Sequence, residues 1–380
     1  MSPRRAATAG KRIGIDARFH GLGSAGLARY TRELISHLAA VRTPHTFVVF
    51  LRPEDARSFP HRGPRFETVV TRTPHYSFRE QMLLPGELSR ARLDLMHFTN
   101  FNLPIRYHDP FVVTVHDLTL LRYAGRSRLS KLKHGPMRAV VRAGIRNSRK
   151  IITISEYQRK IIARDFRAFD GKIEVVYEAV EPRFKPLSRA EVTAFRRERG
   201  LADPFVMYTG QWREHKNLVR LLKAFRLLRR KHPAVRLILV GKRDPAFPII
   251  PRTIRSLGLS EAVTCTGFVD DEDLPRYYAA ADAFAFPSLT EGFGLPPLEA
   301  MACGTPVAAS DAPPMPEILG DAAAFFNPRN TADVARVVER TLFDPALRRT
   351  LRRRGLARVK RYSWQKTARE TLAVYESALR

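Results

Sequence analysis

Two carboxylates, Glu291 and Glu299, stand eight positions apart on either side of a glycine-rich turn. An ionised carboxylate accepts two hydrogen bonds well, so one such group can clamp a vicinal diol and a second can hold a further hydroxyl. Between them runs Gly292-Phe-Gly294-Leu-Pro-Pro-Leu. Glycine tolerates positive φ and lets a ligand approach the backbone. The helical pattern that starts near Leu295 points its first N–H groups and its positive dipole end at the turn, which suits phosphate. The implied chemistry is the binding of a phosphorylated, hydroxyl-rich ligand. The glutamate spacing alone carries no weight; the apolar strand Phe284–Pro287, the turn and the helix together carry it.

A strand must deliver this turn, and the rest of the chain supplies the frame. Strands are expected at Arg12–Asp16, Thr46–Leu51, Leu95–Phe98, Phe111–His116, Lys150–Ile154 and Lys172–Val176, with helices such as Gly26–Ala40 and Leu129–Asn147 between them. Strands spaced by helices imply a parallel sheet covered on both faces. The pattern restarts with strands at Phe205–Thr209, Arg236–Val240, Ala262–Thr266, Ala283–Phe286, Pro306–Ala309 and Ala323–Phe325, and helices at Asn217–Lys231, Asp271–Ala280, Leu295–Ala302 and Thr331–Phe343. The reading is α/β, with two doubly wound parallel sheets: an amino-terminal domain over 11–181, a carboxyl-terminal domain over 187–362, and a final helix over 363–380 returning to the first. Pro182 and Pro186 flank a helix-poor stretch, Glu178–Pro186, taken as the hinge. In open α/β sheets ligands gather at the carboxyl ends of the strands, so two facing sheets would form a cleft lined by those loops.

Composition bounds the function further. The chain has 380 residues, 44% of them hydrophobic, enough for two ordinary cores. No run approaches a membrane span, and Met1–Lys11 is basic without an apolar stretch, so neither a secretory leader nor a spanning helix is expected. Cys265 and Cys303 are too few for a disulfide framework and read as buried thiols of a reducing, cytoplasmic compartment. The net charge of +29 concentrates polyanions, whether nucleic acid, anionic lipid or phosphorylated substrate. No zinc-finger spacing, no RNP-like aromatic pattern and no helix-turn-helix stands out, so nucleic acid is not an expected partner.

The run Glu291-Gly-Phe-Gly-Leu-Pro-Pro-Leu-Glu299-Ala-Met-Ala-Cys-Gly-Thr-Pro306 resembles the Glu-x7-Glu signature of family 4 retaining glycosyltransferases. Ile13-Gly-Ile-Asp-Ala-Arg18, Gly23-Ser-Ala-Gly26, Val115-His-Asp117, Ile154-Ser-Glu156, Tyr208-Thr-Gly210, Leu239-Val-Gly241 and Gly267-Phe-Val-Asp270 follow in the family's order. The resemblance implies the GT-B fold, with two Rossmann-like domains and the active site between them. It implies that Glu299 binds the donor ribose and Glu291 contacts the transferred sugar, with the backbone of Phe293, Gly294 and Leu295 against the donor. His116 matches the active-site histidine near the reacting carbon. Lys216 matches the lysine that neutralises the diphosphate leaving group, where a fixed cation acts on developing charge. A cation is disfavoured at a free helix start, which favours a phosphate role for it. The arginine that usually accompanies this lysine is replaced by another pattern here, and Arg213 is the nearest substitute. Gly23 and Gly26 match the glycine loop near the diphosphate, and Val269 the position beside the nucleobase.

The resemblance also implies front-face substitution with retention, without metal or cofactor; no Asp-x-Asp match convinces. Thr114-Val-His-Asp-Leu118 and Gly267-Phe-Val-Asp-Asp-Glu-Asp-Leu274 look most like mannosyltransferases that use GDP-mannose, with UDP-sugars left open. The expected acceptor is a glycan or a polyprenyl-linked glycan. Arg122–Lys150 holds ten Arg or Lys and no acid, and Arg128, Lys131, Arg138, Arg142, Arg146 and Arg149 fall at helical spacing as one stripe. A second basic cluster runs from Arg348 to Arg361. Both suit an anionic membrane surface, placing the enzyme peripherally on the inner face. Alternatives are a nucleotide-sugar epimerase, a phosphorylase or a basic nucleic-acid-binding protein.

Overall fold

The computed structural model describes residues 10–21, 26–61, 63–122, 128–244 and 247–380. The chain divides into two compact units: one runs to Glu178 and takes in Trp364–Arg380, the other is Ala179–Ser363.

The first unit is built on seven strands, β1 (Arg12–Asp16), β2 (Thr46–Leu51), β3 (Phe66–Val70), β4 (Leu95–Phe98), β5 (Phe111–Val115), β6 (Lys150–Thr153) and β7 (Ile173–Val175). All pair in parallel, in the order β3-β2-β1-β4-β5-β6-β7. The central strands are short apolar runs because helices cover both faces: β4 and β5 are buried throughout. The edge strand β3 lay outside the expected set. Phe66-Glu-Thr-Val-Val70 is half open to solvent and carries a charge, so it lacks the continuous apolar run of its neighbours.

The helix Phe78–Arg90 was likewise not expected. Pro85 inside it interrupts the helical pattern, yet Ser77 caps it by accepting from the Glu80 amide at 3.1 Å. The last helix, Trp364–Leu379, packs on Gly26–Ala40 within this unit. Side-chain bonds fix it there: Thr367 Oγ1 donates to the Tyr177 carbonyl at 2.7 Å, Arg149 donates to the Ala378 carbonyl at 2.6 Å, and the Tyr375 hydroxyl lies 2.6 Å from His97 Nδ1.

The second unit has six parallel strands: β8 (Phe205–Thr209), β9 (Arg236–Val240), β10 (Val263–Gly267), β11 (Ala283–Phe286), β12 (Val307–Ser310) and β13 (Ala323–Phe326). Their order is β10-β9-β8-β11-β12-β13. In each sheet the chain works outward in one direction and then restarts beside its first strand. The reversal falls between β1 and β4 in one unit and between β8 and β11 in the other. Ligands of such sheets collect beyond the carboxyl ends of the strands at this point.

Candidate active site

In the second unit, the loops after β8 and β11 flank the reversal point. The strand ends are close enough that side chains are excluded. A Cβ on Gly241 would lie 2.3 Å from the Gly210 carbonyl oxygen, and both residues take positive φ, +141° and +148°. The loop after β8 makes a 3-10 turn, Glu214–Lys216, and Asn217 then adopts a left-handed conformation before the helix Leu218–Lys231. Lys216 therefore ends a turn and is not the first residue of the helix. Asn217 Nδ2 donates to the carbonyls of Pro287 and Pro328, at 3.1 and 2.8 Å. The Leu289 amide donates to the His215 carbonyl at 2.7 Å. The two loops are thus tied backbone to backbone.

This tie brings two sequence-predicted residues together. Lys216 Nζ lies 2.7 Å from Glu291 Oε1 and 2.9 Å from Oε2. Both side chains are mostly buried, and the ammonium also faces the Phe286 ring at 5.8 Å. The Glu291 charge reaches Tyr208, whose phenol is pushed well up, by burial first and by that carboxylate second. Shielding from water strengthens the attraction but also raises the desolvation cost, and removing one partner leaves a buried charge uncompensated.

The turn then enters the helix Leu295–Ala302 through Gly294, at φ +101°. Pro296 and Pro297 follow, and neither has an N–H. The first turn therefore has backbone donors at Gly294 and Leu295 only, fewer than a helix start ordinarily presents. Phe293 is buried and meets Tyr362 edge-on at 5.5 Å, so its ring is taken up in packing. Glu299 is 2% exposed, and the Tyr278 hydroxyl donates to its Oε2 at 2.7 Å. Nothing in the sequence pattern pointed to Tyr278, which comes from a separate helix, Leu274–Ala280.

The other predicted donor-side residues stand further apart. Arg213 is exposed, and its Nε donates to Gln211 Oε1 at 3.1 Å. Val269 is half-buried in the loop after the edge strand β10. Gly26 opens the helix Gly26–Ala40 in the first unit, and among the described residues a Cβ there would meet no heavy atom within 4 Å. Gly23 lies outside the described residues.

His116 follows β5 in the first unit. Its Nε2 is 2.9 Å from the Thr99 carbonyl oxygen and its Nδ1 3.0 Å from Glu178 Oε1. A carbonyl accepts only, so Nε2 carries hydrogen and donates there. Tyr30 meets the imidazole edge-on at 4.5 Å. Glu178 is the partner the sequence did not single out; it sits in the helix-poor stretch with no motif around it. Near β1, Arg18 is fully buried between Asp16 and Glu80, each at 2.6 Å. Burial opposes its charge, but the two carboxylates outweigh burial and hold the proton more tightly than usual.

The basic faces differ in detail from the expected stripe. The helix Arg128–Asn147 presents Arg138, Arg142 and Arg146 to solvent over buried Val141 and Ile145. The side chains of Arg128 and Lys131 lie outside the described residues. Arg149 falls past the helix end and is anchored to Ala378, so it does not extend the stripe. In the helix Pro345–Val359, Arg358 is spent on the carbonyls of Ile318 and Glu317 and Arg354 pairs with Asp321, while Arg349, Arg352 and Arg353 stay exposed.

Among the described residues no helix is long and apolar enough to cross a membrane, and no group of three His, Cys, Asp or Glu is placed to hold a metal ion.

Comparison with known proteins accounts for both units. Residues 24–184 match the model described as Glycosyltransferase Family 4, and residues 192–358 the model described as Glycosyl transferases group 1. O-antigen chain mannosyltransferase B of Escherichia coli is 29% identical over 92% of this chain and 96% of its own length. Sucrose-phosphate synthase of Thermosynechococcus elongatus shares the fold at a TM-score of 0.75 and 23% identity, over 97% of this chain and 98% of its own. HepE of Anabaena, solved with UDP-glucose, superposes at 0.75 with 18% identity, over 97% of this chain and all of its own. The two Rossmann-like units, the ordered motifs and these matches agree: the chain is a nucleotide-sugar glycosyltransferase and belongs to family 4, with the GT-B fold.

Proposed function

We propose that the enzyme transfers a mannosyl group from GDP-mannose to a glycan or polyprenyl-linked acceptor, with retention of configuration and without metal. The observation that carries the reading is the Lys216–Glu291 pair at the β8/β11 reversal, beside the amino terminus of the helix Leu295–Ala302. A donor with a diphosphate and a sugar offers an anion to Lys216 and hydroxyls to Glu291, replacing the pair by two new contacts. Glu299, presented by the same helix and held by Tyr278, takes the ribose. His116 lies near the reacting carbon in this reading. The bond from C1 to the phosphate oxygen breaks, the acceptor hydroxyl oxygen bonds C1 on the same face, and its proton passes to the departing nucleoside diphosphate. Lys216 stabilises the charge that develops there. The name of the Escherichia coli relative supports mannose.

A thermal-shift screen with GDP, UDP, ADP and dTDP tests the base, since a ligand that binds only the folded state raises its Tm. Selective stabilisation by GDP is the expected result. Stabilisation by UDP instead moves the reading to a UDP-sugar enzyme of the same mechanism.

The exposed arginines of the two basic helices suit an acceptor carried at an anionic leaflet, at roughly 1 kcal/mol per charge near the surface. Equal co-sedimentation with neutral and anionic vesicles at low salt would remove the membrane from this proposal.

A further inference from the structure

An exposed aromatic ring, Tyr76, is built into the first unit. Tyr76 has a backbone φ of +56°, a left-handed value that bulky residues adopt only when their surroundings impose it. The surroundings here do. The Tyr76 amide donates to Glu80 Oε2 at 2.9 Å. Glu80 is itself fixed, buried against Arg18 at 2.6 Å and accepting twice from Asn102 at 2.8 and 2.9 Å. The phenolic oxygen accepts from Asn100 Nδ2 at 2.8 Å. Phe19 and His75 meet the ring edge-on, at 6.1 and 5.8 Å. Despite these contacts Tyr76 is 51% exposed. Backbone and hydroxyl are both engaged, and half of the residue is still open to solvent.

The position ties this face to the reaction. Thr99 and Asn100 are consecutive residues after β4, at the reversal point of the first sheet. The Thr99 carbonyl accepts from His116 Nε2, and the Asn100 amide donates to the Tyr76 hydroxyl oxygen. One residue step therefore separates the anchors of the two side chains. The charge of Asp117, the neighbour of His116, is felt at the Tyr76 phenol.

We propose that Tyr76 is a saccharide platform, its open ring face stacking on the C–H face of a pyranose unit of the acceptor glycan. A pyranose turns a patch of weakly positive C–H groups to one side, and an aromatic face is negative, so the two attract while water leaves both. A rigid tyrosine does this at low entropic cost, because its conformation is set before binding. The proposal rests on the glycosyltransferase reading for the word acceptor; the binding of a pyranoside does not.

The test uses the full chain and mannotriose as probe, with saturation-transfer NMR and titration calorimetry. Tyr76→Asn removes the ring but suits the left-handed backbone, so the fold is spared the strain. Tyr76→Phe keeps the face and drops only the hydroxyl bond. We expect mannotriose affinity to fall about tenfold or more in Tyr76→Asn and to change less than about threefold in Tyr76→Phe, stacking on one ring being worth that much. Equal affinity in wild type and Tyr76→Asn overturns the proposal, as does the absence of any mannotriose signal from the wild-type chain. Mannotriose binding lost in Tyr76→Asn, in a chain that shifts with no nucleotide, leaves the platform standing and removes the donor reading instead.

Discussion

The ammonium of Lys216 sits within 2.7 and 2.9 Å of both carboxylate oxygens of Glu291, joining the loop after β8 to the loop after β11. Each residue holds the other at the place where the sheet order reverses. The expected division of labour, cation for diphosphate and carboxylate for sugar, starts from one closed pair. On the proposed function, donor binding exchanges a charge-assisted contact within the protein for two with ligand, so the pair should act as a unit.

A double-mutant cycle reads this unit directly. Lys216→Ala and Glu291→Ala should each lower kcat/KM by about 100-fold, because each removes a contact made to developing charge or to the transferred sugar. The double variant should lose far less than the product, with a coupling of about 1 kcal/mol or more. Additivity within about 0.3 kcal/mol in measured kcat/KM would show that the two act separately.

Tyr278→Phe isolates the role of the buried carboxylate. It deletes the hydroxyl that donates to Glu299 Oε2 at 2.7 Å and leaves the ring in place against Phe184 and Phe284. A hydrogen bond to a charged group inside a protein is worth about 1.5–3 kcal/mol, so Tm should fall by several degrees. If Glu299 holds the ribose as proposed, nucleotide affinity should fall with it, since the carboxylate loses its orientation. Unchanged nucleotide affinity by calorimetry would separate Glu299 from the ribose.

The frame and the glycine-rich turn were legible in the sequence because buried parallel strands are short apolar runs and because Glu291–Pro306 combines turn, helix start and carboxylates in one segment. Strand β3 and the helix Phe78–Arg90 were not, since an edge strand has no apolar run and Pro85 breaks the helical period. The partners of the site were the harder part. Glu178 meets His116 from 62 positions away and Tyr278 meets Glu299 from 21 away, with no local motif at either. Such contacts are made by packing, and spacing along the chain does not encode them. The Arg149 reading failed for a related reason: a cation at helical spacing continues a stripe only if the helix continues, and this one ends at Asn147.

Glu178 should matter through His116. With the ring held at Nε2 by the Thr99 carbonyl and at Nδ1 by the Glu178 carboxylate, its orientation is set from both sides. Glu178→Ala should lower kcat by about tenfold at nearly constant donor KM, the mark of a group that positions another. Glu178→Gln, which keeps a polar atom at Nδ1, should recover most of that loss. A fall in both variants that tracks lost Tm, measured on the same samples, would assign Glu178 to stability instead.

Metal removal gives a simple check on the leaving-group assignment. If Lys216 supplies the charge opposite the diphosphate, activity should persist after dialysis against EDTA, within about twofold. Loss of turnover in EDTA, restored by added magnesium or manganese, would mean that a cation shares the work given to Lys216.

His97 makes the stability of the first unit depend on pH. It is fully buried on β4, with Nδ1 2.6 Å from the Tyr375 hydroxyl and Nε2 2.8 Å from Thr114 Oγ1, which in turn lies 3.1 Å from the Tyr30 hydroxyl. A neutral imidazole satisfies one donor and one acceptor role between these hydroxyls, whereas an imidazolium would be a charge buried between neutral hydroxyls. Burial first, and the neighbouring His116 second, push its pKa down to about 3. The unfolded chain titrates near about 6.5, so between these values it binds the extra proton and the folded unit does not. The stabilisation is therefore complete above about pH 6.5 and is lost progressively as pH falls toward about 3. Urea unfolding at about pH 7.5, 6 and 5, followed in a Trp212→Phe background through Trp364 of the first unit, compares the wild-type residue with His97→Gln. His97→Gln should be the less stable protein at the highest pH, having lost a fitted side chain, and the gap should narrow as the pH falls, because only the wild type carries the protonation penalty. A gap that stays constant over the series would show that His97 is not the group that titrates.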